Sequence, residues 1–488
     1  MRWPGLPALE DETRSWSYSD LLRESDACGT HLAAIGVGPG DRVLIVGETC
    51  AEVVAAFFGA TTAGATAVII SARLAAPEVD RIAVHCAPSV VIHLAGQSEL
   101  AGEHGLRRGA SVSRIPGIGS VLVERFNREG GGVPGGMDGS IGCAAMIYTS
   151  GTTGLPKAAM LSHRNLLFAG ATQARERGHV PGDLVYCPLP MAHVGGLCAV
   201  LLGTIAGGGC LVLRKRFLVE DLVSLLRAGR ITVIPGIPAM HLKVLEWTRR
   251  AGRRLEIGRL RLVTTSSSPL ALSTKTEVEA MYGMPLQSHY GMTEASAGIC
   301  QTTIGGSRAD VSVGQPFPGI DLRIVGEDGA PMATGEVGEI QVRGAGVFMG
   351  YFRDPESTAA AFTDDGWLRT FDLGSRDASG DVFISGRAKD VIKRSGYNIY
   401  PVEIEAAISA APYVVACCVV GCMREGDEEV IAFVELSGGG SVSDLGEHLR
   451  GQLAPYKVPN QIRVLPKLPT LDSGKIDRKA LRLAGASG

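Results

Sequence analysis

The sequence predicts an α/β protein, with a large N-terminal region of layered β-sheets flanked by helices over residues 1–387 and a small α+β domain over 388–488. Three observations predict it. Amphipathic stretches alternate with short apolar strands up to Gly319, closely spaced strands and turns follow, and a separate helix–strand alternation begins beyond Arg387. A length of 488 residues suffices for about two to four folding units, each with its own interior.

The elements follow in order. Residues 16–36 place apolar side chains at helical spacing after Ser17 or Ser19 as a cap, and stop at Gly36. GPGDRVLIVG then reads as a turn feeding a strand. Residues 51–72 carry a single charge over about the length that spans a bilayer, but Gly59, Thr61, Thr62 and Gly64 interrupt them and β-branched residues dominate after Gly64. A buried helix followed by a strand is expected there. Further units are VVIHLAG, the helical periodicity of Val219–Arg227 before ITVIPG, and GRLRLVTTS after a helix ending near Gly252. After Gly319, DLRIV, GEIQVRG and the stretch from Gly366 to Gly386 read as strands joined by turns. Beyond Arg387 come the helix PVEIEAAISA, the strands VVACCVVG and EVIAFVEL, the helix VSDLGEHLRGQL and a basic tail, GKIDRKALR.

Composition removes several classes of function. Forty-seven Lys and Arg against fifty Asp and Glu give a net charge of −3, so no global field attracts nucleic acid. Eleven cysteines occur without a C-x-x-C pair, and Cys417, Cys418 and Cys422 have no His/Cys cluster to complete a zinc site. Reduced, buried thiols in a cytoplasmic protein are expected, and the N-terminus turns acidic where a secretion signal would be cleaved. Sixty-five glycines and twenty-five prolines imply many tight turns and loops that approach ligands closely.

The most informative stretch is IYTSGTTGLPKAAMLSHRN, residues 147–165. A strand ends at Tyr148 and runs into Thr149, Ser150, Gly151, Thr152, Thr153 and Gly154, followed by Pro156 and Lys157. Small residues let backbone N–H groups approach phosphate oxygens, hydroxyls donate to them and a lysine neutralises them. It reads as a phosphate-gripping loop. The common nucleotide loop needs G-x-x-x-x-G-K-[ST], whereas proline precedes Lys157 and alanine follows it, which disfavours that class.

TSGTTGLPK, YGMTE at 290–294, GEVGEIQVRG at 335–344 and GK at 474–475 together resemble the ANL superfamily of adenylate-forming enzymes, in the family's order and over nearly the whole chain. Within it the chain is most similar to acyl-CoA synthetases of the 4-coumarate–CoA ligase type. The resemblance implies a distorted β-barrel-like lobe in the N-terminal region and a mobile C-terminal lid. It implies that a carboxylate attacks the α-phosphate of ATP, giving an acyl adenylate and pyrophosphate, and that the thiol of coenzyme A then displaces AMP. ATP, Mg²⁺ and coenzyme A are the implied cofactors.

The same resemblance implies roles residue by residue. Thr149, Ser150, Gly151, Thr152, Thr153, Gly154 and Lys157 hold phosphates. Tyr290, Gly291 and Met292 flank adenine, Thr293 meets the α-phosphate and Glu294 holds Mg²⁺, although Glu294 alone also reads as a helix-start acid. Asp372 and Arg387 take the ribose, Lys475 is the late catalytic lysine, and Lys389 is the hinge. Ser395, Gly396 and Tyr397 border the coenzyme A tunnel. The family usually has TGD where this chain has Thr370, Phe371 and Asp372.

For the acid, His193 matches a position near the carboxylate, and a core histidine is its other reading. Val194, Gly195 and Gly196 follow it with no acidic residue, which disfavours an amino-acid substrate. The wall motif S-G-[GA]-A-P-L is replaced by Thr265, Ser266, Ser267, Ser268, Pro269 and Leu270, and His289 stands before YGMTE. A pocket narrowed by hydroxyls favours a short, medium or aromatic acid. A carrier protein as acyl acceptor, a non-catalytic nucleotide-binding relative and a homodimer stay open. No nucleic acid and no transmembrane segment are expected.

Overall fold

The computed structural model describes residues 2–125, 142–149, 157–268, 270–394, 397–424, 427–437, 439–470 and 475–486. Two large sheets and one small one make up the N-terminal region. The first has nine strands, and its centre is parallel: Cys210–Leu213, Leu184–Cys187, Val233–Gly236, Leu262–Ser266 and Leu286–Tyr290 lie side by side. The second has eight strands, with Thr66–Ser71, Arg42–Gly47 and Val90–His93 parallel at its centre and the hairpin Cys143–Thr149/Lys157–Ser162 toward one edge. These strands are nearly all apolar because both of their faces are covered.

Between the two sheets lies one continuous core, built around helices Tyr18–Ala34 and Ala51–Thr62. Ser17 caps the first helix through a reciprocal bond pair with Asp20, so of the two candidate caps the chain uses Ser17. The second helix is buried over nine of its residues and is followed by the strand Thr66–Ser71, as expected for this apolar stretch. The two helices meet through glycines. A Cβ on Gly29 would stand 2.8 Å from the Gly59 carbonyl oxygen, and one on Gly59 would stand 2.8 Å from the Cys28 side chain. Among the described residues no helix is long and apolar enough to cross a membrane. All eleven cysteines are free and ten are buried, where desolvation raises the thiol pKa of those nearest the core.

After Gly319 the chain forms a four-stranded antiparallel sheet from Ile320–Val325, Gly338–Gly344, Leu368–Arg376 and Val382–Arg387. The expected β-rich lobe is therefore an open sheet, its strand order following the chain. The short turn Ala388–Asp390 leads to the hairpin Ile392–Arg394/Tyr397–Ile399. A three-stranded sheet then carries helices Pro401–Ser409, Val442–Gln452 and Arg478–Ala486. The last of these corrects the sequence reading of a basic tail. Leu481 and Gly485 bury one stripe of it against the sheet, while Arg478 forms a two-oxygen ion pair with Glu405 at 2.6 and 2.8 Å. Three basic residues over nine hid an amphipathic helix whose apolar stripe is only two or three side chains wide.

Gly59→Ala should lower the thermal midpoint measurably, with a loss of about 1–3 kcal/mol from overpacking the helix crossing. Gly5→Ala, at a site with open space for a Cβ, serves as the control and should leave the melt unchanged.

Candidate active site

The parallel strands Leu262–Ser266 and Leu286–Tyr290 are in register, with Ser266 beside His289, so both deliver their C-terminal ends to one crevice. In open parallel sheets that edge is where ligands bind. Immediately after it the chain makes a tight reversal. Tyr290 leads into Gly291, Met292 and the 3-10 turn Thr293–Ala295, and the Ile299 N–H returns to the Tyr290 carbonyl at 2.9 Å. Gly291 is obligatory, because a Cβ there would lie 1.6 Å from the Ala297 oxygen. Ser296 and Ala297 complete the reversal with φ of 52° and 81°, left-handed values that non-glycine residues adopt only under tertiary constraint. The Ser296 hydroxyl donates to the Gly346 carbonyl at 2.7 Å and anchors the turn.

This reversal points Glu294 inward, where it is 9% exposed. Its carboxylate accepts from the Tyr351 hydroxyl at 2.6 Å, and the Phe348 N–H donates to its carbonyl at 2.9 Å. Lys157, at the far end of the phosphate-loop motif, approaches the same tyrosine, with Nζ 5.1 Å from the ring centroid and 2.6 Å from the Ser357 hydroxyl that accepts its hydrogen bond. Thr149 closes the hairpin opposite Lys157. Ser150, Gly151, Thr152, Thr153 and Gly154 lie outside the described residues, as do Ser395 and Gly396. The carboxylate of Glu294 is a hard oxygen donor, and the described residues form no cluster of three or more metal-ligating side chains. One carboxylate suits a small cation that keeps waters and binds mainly through phosphates.

A second group joins the parallel sheet to the antiparallel one. The Tyr290 hydroxyl donates to Asp372 Oδ2 at 2.7 Å, and Arg387 Nε lies 3.2 Å from Oδ1. Asp372 and Arg387 are register partners on adjacent strands, so the sheet itself sets their pairing. Burial raises the Asp372 pKa, opposed by Arg387 and by the Tyr290 bond. Burial also lifts the Tyr290 hydroxyl well above its ordinary value, and the Asp372 charge adds to this. Between Thr370 and Asp372, Phe371 sits at φ 57° with its ring 43% exposed and the Arg369 guanidinium 5.2 Å from its centroid. The expected glycine position is thus a left-handed one, and phenylalanine holds it at a cost of roughly 1–2 kcal/mol. The Asp372 N–H bond to Thr370 Oγ1, 3.1 Å, fixes the backbone there.

Lys475 arrives from the C-terminal domain. Its side chain keeps contact with solvent, yet the surrounding walls and then Arg387 lower its ammonium pKa, while Asp372 acts the other way. The same lysine lowers His193, after burial. The structure therefore brings Lys475, His193, Asp372, Arg387 and Tyr290 into one site. His193 precedes a π-helix, Gly195–Leu202, that the sequence reading did not anticipate. Such wide turns are frequent at functional sites. Gly196 packs where a Cβ would meet the Pro190 oxygen at 2.3 Å.

The serine wall differs from expectation. Ser266 is half-buried, whereas Ser267, at φ 77°, and Ser268 are exposed. His289 is buried, bonded to Gln173 at 3.1 Å and tilted against Phe317. Lys389 sits in the turn Ala388–Asp390, its pKa lowered first by burial, and Tyr397 stacks on Tyr456 at 4.3 Å. Tyr351, Ser357 and Gln173 were missed, because nothing in their local sequence announces a partner more than fifty residues away.

Burial lowers His289 to about 3 and His241 to about 4. Both groups are depressed relative to the unfolded chain, which therefore binds more protons between these values and about 6.5. Stability should be fully present above pH 6.5 and fall as pH drops toward 4, with a limiting slope of about 1.4 kcal/mol per pH unit per histidine. Thermal melts across this range check it, and His289→Gln should flatten the slope.

Comparison with known proteins identifies the family. Residues 1–352 match the model of the AMP-binding enzyme family, and 403–475 match that of the AMP-binding enzyme C-terminal domain. A feruloyl-CoA synthase of Amycolatopsis sp is 31% identical over 490 residues, covering 98% of this chain and 96% of the relative. The crystal structure of ATP-bound MatB from Rhodopseudomonas palustris is 30% identical with a TM-score of 0.87, covering 99% of this chain and 96% of that one. The apo structure of the same protein, at equal coverage, has a TM-score of 0.76. With these matches over nearly its whole length, the chain belongs to the AMP-binding enzyme family of adenylate-forming ligases.

Proposed function

We propose that this protein activates a compact carboxylic acid as its acyl adenylate and transfers the acyl group to coenzyme A, with the site residues above in defined roles. The observation that carries the assignment is Lys475, delivered by the C-terminal domain to within the electrostatic reach of Asp372, Arg387 and His193. The higher similarity to the ATP-bound than to the apo form of MatB supports reading this arrangement as the adenylating one.

In the first step a carboxylate oxygen of the acid attacks the α-phosphorus of ATP, and the bond to the β-phosphate oxygen breaks to release pyrophosphate. Negative charge grows on the transferring oxygens, and a point charge on a flexible stem, Lys475, stabilises it there. Asp372 accepts the ribose hydroxyls, with Arg387 and Tyr290 keeping its carboxylate oriented and charged. Tyr290, Gly291 and Met292 line the adenine, and Thr293 meets the α-phosphate. Lys157, freed from Ser357, neutralises the β- and γ-phosphates together with Thr149, Ser150, Gly151, Thr152, Thr153 and Gly154. Glu294 would hold Mg²⁺, which supplies charge neutralisation on the triphosphate when bound. Tyr351 fixes the Glu294 carboxylate by its hydrogen bond.

His193 and Ser266 border the acid. Burial keeps His193 neutral, so it offers an N–H or a lone pair without drawing the acid's carboxylate into an ion pair that would oppose transfer. In the second step the coenzyme A thiolate attacks the acyl carbon and AMP leaves. The domain pivots at Lys389, withdrawing Lys475 and presenting the hairpin with Ser395, Gly396 and Tyr397 to the thiol. A carrier-protein phosphopantetheine is the second acceptor to test, since thioester formation with free coenzyme A alone separates the two.

Pyrophosphate release from ATP and Mg²⁺ against a panel of short, medium and aromatic acids tests the proposal. Lys475→Ala should reduce release by about 10²–10³-fold, while transfer to coenzyme A from a preformed adenylate falls less. Unchanged pyrophosphate release in Lys475→Ala would remove Lys475 from the first step. Tyr351→Phe should raise the Mg²⁺ concentration needed for half-maximal rate about 10–100-fold, with the rate recovered at saturating Mg²⁺.

A further inference from the structure

Helix His163–Glu176 ends in a group of polar side chains that the chemistry above does not use. Gln173 and Arg177 stand one turn apart, hence on one face, and are 1% and 3% exposed. Arg177 donates to the Ala199 carbonyl at 3.1 Å, its Nε has no partner, and its guanidinium forms no ion pair among the described residues. Gln173 Nε2 meets His289 Nε2 at 3.1 Å, which leaves the Gln173 oxygen buried and unpartnered. Gln301, the register partner of His289, adds another unpartnered buried oxygen, while its amide nitrogen donates to the Glu176 carbonyl.

The location gives the cluster its meaning. Ala199 belongs to the π-helix that follows His193, and His289 ends the strand that lies beside Ser266. Gln173 therefore touches His289, and Arg177 touches the helix that follows His193, so both lie against elements that carry candidate acid-pocket residues. A buried guanidinium gives up hydration worth several kcal/mol, and an anion restores it most fully. The Ala199 carbonyl replaces part of that hydration, and among the described residues no acid compensates the charge. Burial lowers the Arg177 pKa to about 10, which still leaves it cationic at neutral pH.

We propose that Arg177, with Gln173 and His289, recognises a second anionic group at the far end of the acid, so that the substrate class is a compact acid bearing two anionic groups. The far carboxylate or sulfonate pairs with the guanidinium, and the near carboxylate faces the α-phosphate. This inference rests on the adenylating reading of the site. It limits chain length as well, because the fixed cation sets the span between the two groups.

The test is steady-state pyrophosphate release by the full chain with ATP, Mg²⁺ and coenzyme A, using matched pairs that differ only in the second group: acetate and sulfoacetate, propionate and malonate, butyrate and succinate, benzoate and phthalate. For the pair of matching span, kcat/KM should favour the doubly anionic acid by about a hundredfold or more, as expected when a buried charge is left unpaired by the wrong substrate. Gln173→Glu places a carboxylate of nearly the same shape beside Arg177 and supplies the missing counter-charge from within. It should melt no lower than the parent, and the preference should fall by about tenfold or more through KM. Arg177→Met should lose the preference as well. Brisk release from monocarboxylates with no gain from a second anion overturns this inference alone, as does an unchanged preference in folded Gln173→Glu. No release from either class, with ATP still bound in calorimetry, overturns the adenylating reading and this inference with it.

Discussion

The carboxylate of Asp372 is the joint on which the rest of the site depends. It lies on the antiparallel sheet, accepts its shortest hydrogen bond from Tyr290 at the end of the parallel sheet, pairs with Arg387 at the end of the neighbouring strand, and attracts Lys475 from the C-terminal domain. Three separately built layers thus converge on one buried acid. Desolvation pushes that acid toward its neutral form and the surrounding donors hold it charged. Removing any donor leaves the others facing a group that burial disfavours, so the arrangement acts as a unit.

Backbone strain gathers around the same place. Ser267, Ser296, Ala297 and Phe371 all adopt left-handed φ without being glycine, and all four flank the crevice. Each such residue costs on the order of 1–3 kcal/mol and persists only where its neighbours over-determine it. At Phe371 those neighbours are Thr370 Oγ1, the Arg369 guanidinium and the strand pairing of Asp372. The departure from glycine in the motif therefore changes the surface at the rim of the site and leaves the carboxylate in position.

A second kind of constraint lies deeper. Helices Tyr18–Ala34 and Ala51–Thr62 fill the space between the two large sheets at a glycine crossing, and helix His163–Glu176 presses Gln173 and Arg177 against the π-helix and strand Leu286–Tyr290. The first contact is apolar and closed. The second carries a cation, two unpartnered amide oxygens and a neutral histidine, a combination that folding alone does not favour. The contrast separates a region shaped for stability from one shaped for a ligand.

The sequence by itself determined much of the alternation of strands and helices, the family, and the residue types that its motifs carry. Those features are local: a capping box at Ser17, an apolar run between glycines, or a motif such as YGMTE carries its signal within a few residues. Tertiary structure alone decided which distant groups meet. The Tyr351–Glu294 bond, the Lys157–Ser357 bond and the Gln173–His289 pair join residues 57, 200 and 116 positions apart, and no local pattern encodes such a distance. Tertiary packing also converted the basic tail into a helix around Leu481 and Gly485, left Ser267 and Ser268 exposed, and buried Arg177 with no acid paired to it among the described residues. Burial is a property of the assembled layers: a side chain's charge is written in the sequence, and whether that charge is left in want of a partner depends on what the fold places around it.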